Sequence, residues 1–136
     1  MLLNISYNSD KNKDLISSLV GKPYSLWSLF KIGKIGSPRL KIISASNEIS
    51  DLLSYDNNIS WCNIELRPKG IILRFRSLLE TYGLIIPYYK LTLFKSDSNE
   101  YSFYCDVIKI KVVAKTKNSI DFIKKILIQK NKNFVN

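Results

Sequence analysis

The sequence predicts an α+β fold: a strongly bent antiparallel sheet or partly open barrel, closed by a C-terminal amphipathic helix and preceded by an N-terminal extension. Three observations carry this. Apolar residues alternate in Cys62/Ile64/Leu66, in Ile71/Leu73/Phe75 and in Ile108/Ile110/Val112, the period of half-buried strands. The period then switches, and Ile120, Ile123 and Leu127 recur at helical spacing. Between the apolar runs lie turn sequences, Arg67-Pro68-Lys69-Gly70 and the polar stretch 96–100, which chain short strands into a meander.

The elements follow in order. Residues 4–13 are polar and read as loose. Residues 14–20 suit a short helix, with Asp14 as cap, Leu15, Ile16, Leu19 and Val20 as its apolar face and Gly21 as its stop. Residues 24–36 are ambiguous. Leu26, Leu29 and Phe30 fit a helical stripe, Leu26, Ser28, Phe30 and Ile32 fit one face of a strand, and Gly33, Gly36 and Pro38 favour a turn. Residues 39–45 read as a strand, 46–53 as a helical turn capped by Ser46 or Asn47, and 55–58 as a polar loop.

From residue 60 the pattern sharpens. Strands at 60–66 and 71–75 form a hairpin, with Pro68 presetting the first corner and Gly70 expected in the left-handed position after it. A strand at 84–89 carries Pro87, which points to an edge or a bulge because proline has no N–H to donate. Strands at 91–95, 101–105 and 107–114 follow. The last helix is expected to start at Asn118 with Asp121 three residues on. Ile120, Ile123, Ile126 and Leu127 would lie against the sheet, and Lys117, Lys124 and Lys125 would face water.

Length and composition set further bounds. A chain of 136 residues suits one domain with one core. The longest apolar run, 83–89, is far below the roughly 20 residues of a spanning helix. The N-terminus turns polar at Asn4, unlike a secretory leader. These features give an expected cytoplasmic location, with peripheral membrane association as an extension of it. Cys62 and Cys105 both fall within expected strands and read as small buried residues.

Catalysis finds little to work with. The chain has no histidine, so Ser-His and Cys-His arrangements are ruled out. Two thiols without histidine make a poor zinc set, and no glycine pattern for nucleotide phosphates is present. A carboxylate pair such as Glu65 and Glu80 is what remains for an enzyme. The reading is therefore non-enzymatic, with no cofactor and no metal.

The formal charge is +10, with 17 Lys against 4 Arg. Ile, Lys and Asn, which AT-rich codons encode, make up 48 residues, a source of lysine independent of function. The charge is nonetheless uneven: residues 107–136 hold eight Lys and one acid, Asp121. Lys109, Lys111, Lys117, Lys124 and Lys125 are thus candidates for a basic surface, to which Trp61, Tyr88, Tyr89, Tyr101 and Tyr104 would add stacking platforms for a nucleic acid. The bland alternative is a solvated face and cross-strand aromatic pairs. The stretch Leu26, Trp27, Phe30, Lys31, Ile32, Lys34 reads as an arm over a sheet edge, a self-association element in a homo-oligomer, or an interfacial segment.

The hairpin, the segment Gly83-Leu84-Ile85-Ile86-Pro87-Tyr88 and the amphipathic stretch 120–129 together resemble the pleckstrin-homology-like superfamily, particularly its small bacterial members. The likeness covers about residues 60–129. It implies a bent sheet plugged by its last helix, with residues 37–136 as the domain and 1–36 as an extension packed on it. It also implies a binding module. Lys69-x4-Arg74-x-Arg76 is similar to the basic motif by which lipid-binding members grip a phosphorylated headgroup, since Arg74 and Arg76 share a strand face and guanidinium binds phosphate in bidentate fashion. Solvated arginines beside a turn lysine are the alternative. The first expectation is a protein-interaction module, with Leu84, Ile86, Tyr88 and Tyr89 marking an open edge. Anionic lipid or phosphate recognition through Lys69, Arg74 and Arg76 comes second, and nonspecific nucleic-acid binding third.

Overall fold

A computed structural model describes residues 1–7, 9–55 and 60–134. The chain runs through β1 (Leu2–Asn4), α1 (Asp10–Val20), α2 (Leu26–Ile32), β2 (Leu40–Ala45), α3 (Asn47–Leu53), β3 (Trp61–Arg67), β4 (Gly70–Ser77) and β5 (Glu80–Pro87). A single 3-10 turn over Tyr88–Lys90 then leads into β6 (Leu91–Asp97), β7 (Glu100–Cys105), β8 (Ile108–Val113) and α4 (Lys117–Phe134). The strands form one antiparallel eight-stranded sheet in the order β1-β5-β4-β3-β2-β8-β7-β6, which does not close. The fold is therefore the expected α+β sheet with a C-terminal helix. Of the polar loop expected at 55–58, all but Tyr55 lies outside the described residues.

One core fills the inner side. Leu40, Ile64, Leu66, Ile71, Leu73, Phe75, Leu84, Phe103, Ile110 and Val112 are buried there, drawn from strands across the sheet. Phe122, Ile123 and Ile126 of α4 complete it, so the closing helix is held by burial of its apolar stripe. Its first turn is capped by Thr116 rather than Asn118: the Ser119 N–H donates to Thr116 Oγ1 at 3.1 Å. A hydroxyl one position before the helix satisfies an N–H that Asn118, already inside it, cannot.

The outer side carries a second, smaller cluster. Ile16 and Val20 of α1 bury Ile72 of β4 and Ile85 of β5, with Leu3, Ile5 and Leu19 around them. Within the stretch expected to be loose, Asn4 ends a strand and residues 10–13 open a helix. Met1 to Asn4 runs beside β5, with Leu2 opposite Leu84 and Asn4 opposite Tyr82. α1 starts four residues earlier than expected, where the Asn12 N–H donates to Ser9 Oγ at 3.1 Å. Its first apolar residue is Leu15, so periodicity could not reveal that opening turn.

Two further expectations are corrected and one ambiguity is resolved. Gly70 does not take a left-handed conformation; it is required by crowding, because a Cβ there would stand 2.4 Å from the Ile86 carbonyl oxygen and 2.5 Å from Val20 Cγ1. Ser46 precedes α3 but does not cap it: its Oγ accepts from the Lys109 N–H at 3.2 Å, tying α3 to β8. The ambiguous stretch 24–36 holds α2, started by Ser25 accepting from the Ser28 N–H and stopped at Gly33, whose φ is 81°.

Candidate functional site

Strand alternation puts Glu65 and Arg67 of β3, with Arg74 of β4, on the outer face beside the α1 plug. The hairpin register sets Glu65 opposite Ile72 and Asn63 opposite Arg74, so Arg74 lies diagonal to Glu65. Glu65 grips both arginines. Its Oε2 accepts from Arg67 Nε at 2.5 Å and its Oε1 from Arg74 Nη1 at 2.7 Å. Arg67 Nη1 also donates to the Gly21 carbonyl at 3.0 Å, pinning the end of α1 to β3. Burial raises the Glu65 pKa, but the Arg67 hydrogen bond and the Arg74 charge outweigh it and hold the carboxyl below its ordinary value.

A cleft of about 590 Å³ opens between the β1–α1 segment and these strands. Lys13, Lys22, Arg67 and Arg74 line it, and none of its described lining residues is acidic. Ser6, Ser9, Asn12 and Ser17 add neutral polar groups. The wall is built firmly: the Thr81 N–H donates to Ser6 Oγ at 2.8 Å, and the Ile5 N–H to the Thr81 carbonyl at 2.8 Å. Arg74 has a side chain 33% exposed and spends one of its five N–H donors on Glu65. Donors therefore remain for a ligand oxygen. A volume of this size suits a small molecule.

The three residues expected to bind phosphate are not brought together. Arg74 lines the cleft. Arg76 is exposed one step further along the same face, opposite Thr81. Lys69 sits in the hairpin turn at the other end of β4 and lines a separate hollow with Leu19, Tyr88 and Tyr89. The five residue steps of extended chain from Lys69 to Arg74 span roughly 16 Å, beyond a shared headgroup phosphate.

The expected edge is also relocated. Leu84, Ile86 and Tyr88 are buried, and β1 covers β5 from Tyr82 to Leu84. Tyr89 alone of the four is exposed. Pro87 ends β5 opposite Gly70, so the proline marks the end of a strand, where its missing N–H costs nothing. The strand order ends at β1 on one side and at β6 on the other, with no described strand beyond either.

The basic-surface candidates divide between two sides. Lys109 and Lys111 alternate with Ile110 and Val112, which face the core that α4 covers, so these two lysines lie on the reverse of the sheet. Lys117, Lys124 and Lys125 lie on α4, and Lys125 Nζ donates to the Lys34 carbonyl at 3.0 Å. Of the stacking candidates, Tyr88 is buried, Trp61 lies under the Arg39 guanidinium at 4.2 Å, and Tyr104 stacks on Phe94. Glu80 is placed at the β4–β5 turn, where it accepts from Asn4 Nδ2, and Glu65 is committed to its arginines. Cys62 and Cys105 are free and buried, and burial pushes the Cys62 thiol up to about 12.

The sequence reading missed Arg67, Lys13 and Lys22. Its place beside Pro68 makes Arg67 read as a turn residue. The pattern Glu65-x-Arg67 followed by a two-residue turn already places Arg74 diagonal to Glu65, so that triad was available from register alone. Lys13 and Lys22 depend on where α1 docks, which no local pattern encodes. Comparison with protein-family models, with curated proteins and with solved structures finds no match for the chain.

Proposed function

We propose that the chain is a non-catalytic binding module of pleckstrin-homology-like architecture, and that its ligand site is the basic cleft between α1 and the β3–β4 face. The run β5-β4-β3-β2-β8-β7-β6 with α4 against its inner side supports the architecture. The observation that carries the ligand class is the convergence of Lys13, Lys22, Arg67 and Arg74 on one cleft with no acidic lining residue described. Guanidinium and ammonium groups there favour a phosphate-bearing ligand, through charge-assisted hydrogen bonds from Arg74 and point charges from the lysines. Glu65 acts as the orienting group, fixing both guanidiniums before a ligand arrives. A cytoplasmic location, peripheral to an anionic membrane, goes with this reading.

Amide chemical-shift mapping with pyrophosphate tests it. Saturable shifts should cluster on Ser6, Ser9, Asn12, Lys13, Lys22, Arg67 and Arg74. Shifts that concentrate on Lys109 and Lys111, or that never saturate, would show diffuse charge attraction and contradict the site.

Protein interaction is a second reading, favoured by β6, the longer of the two strands that end the sheet order. An extended peptide would add there as a further strand. Peptides selected from a random library should then protect β6 amides from hydrogen exchange; protection elsewhere would remove this reading.

A further inference from the structure

The α2 helix is turned the wrong way for a helix that only packs. Leu26, Trp27 and Phe30 are 78%, 83% and 86% exposed, and none of the helix's residues is fully buried. At 3.6 residues per turn these three share one face about 100° wide, with Lys31 on its border. The opposite side is the one that meets the protein: Ile32 packs on the core, as do Tyr24 and Ile35 just outside the helix. Trp27 and Phe30 stand next to each other, ring centroids 6.4 Å apart. Scattered exposed apolar residues are normal, but a leucine, a tryptophan and a phenylalanine side by side on one short helix are a patch.

Charge decides what covers it. Residues 15–47 contain Lys22, Lys31, Lys34, Arg39 and Lys41 and no acid at all. All five cations are exposed. Lys125 of α4 comes in beside them, bonded to the Lys34 carbonyl. Asp121 is the acid that shares a hollow with Lys34 and Lys125, so cations prevail around the C-terminal end of α2. Apolar tips that include a tryptophan, ringed by cations, match the two phases of an anionic bilayer surface: acyl boundary for the rings, headgroups for the lysines. Each alone binds weakly, and the two together make the two-signal anchor that stable peripheral binding requires.

We propose that α2 is a membrane-docking element, with Leu26, Trp27 and Phe30 entering the interface of an anionic bilayer while Lys22, Lys31 and Lys34 contact its headgroups. This stands apart from the cleft, since it uses none of the residues that line the cleft except Lys22.

Vesicle co-sedimentation tests it, with phosphatidylglycerol/phosphatidylcholine vesicles beside phosphatidylcholine alone. Trp27 emission is followed in a Trp61→Phe background, where it is the sole tryptophan. Binding is expected to the anionic vesicles, with a blue shift of Trp27 emission and quenching by brominated acyl chains. The pair Trp27→Ser/Phe30→Ser should weaken binding at least tenfold with no loss of melting temperature, because both side chains are exposed. Lys31→Glu/Lys34→Glu should weaken it comparably. Unchanged binding in the serine pair, or anionic binding without a blue shift, would overturn the proposal in favour of lysine charge alone. Equal binding to both vesicle types would also overturn it. So would a concentration-dependent dimer, abolished by the serine pair, in a protein that ignores vesicles: the face would then belong to a second copy.

Discussion

Glu65 holds the outer face together because it satisfies two arginines at once. Arg67 is almost wholly buried, so removing its partner leaves a desolvated charge without compensation. Glu65→Gln should cost about 2 kcal/mol in urea unfolding, below the usual range for a fully buried pair because Glu65 and Arg74 retain some exposure. The same residue sets a pH dependence. Its folded pKa is depressed, so its contribution is present above the unfolded value of about 4.3 and is lost as pH falls through the folded one. Wild type should lose stability in that acid window more steeply than Glu65→Gln; parallel profiles for the two proteins would contradict the assignment. Arg74 was legible in the sequence as a candidate binding residue, since alternation fixes its face. Arg67 was within reach of the hairpin register, but Lys13 and Lys22 were not, because they are its neighbours only in space.

At the scale of elements, α1 is what turns a bare sheet face into a cleft, and Gly70 is where it comes closest. Gly70→Ala would drive a methyl into the Ile86 carbonyl and Val20. The carbonyl belongs to the sheet and cannot swing aside, so a loss of about 3 kcal/mol is expected, read by chemical denaturation. A neutral effect would mean that α1 docks more loosely than the outer cluster of Ile16, Val20, Ile72 and Ile85 implies. The strands β3, β4, β6, β7 and β8 and the helix α4 were readable because each buries one face against a common core and so carries a clean period. β1 was not, since three residues are too few to show alternation, and its pairing with β5 joins residues some 80 positions apart. That missed strand is also why the edge was expected at 84–89: the residues that cover β5 sit at the far end of the chain.

For the whole molecule, a formal charge of +10 leaves open where an anion binds. The fold separates the cations into sets of which two share Lys22: Lys109 and Lys111 on the outer face of β8, Lys117 and Lys124 on α4, the α2 surroundings, and the cleft. The cleft is the set in which two guanidiniums are held in fixed orientation by a shared carboxylate, and fixed donors bind more tightly than mobile lysines on an open face. The most direct test is titration calorimetry with pyrophosphate on wild type and Arg74→Ala, at low and moderate salt. Saturable one-site binding that weakens about tenfold in the variant, a difference of about 1.4 kcal/mol, is the predicted result. Equal binding by the two proteins, abolished by modest salt, would place the anion on the general surface charge and contradict the site.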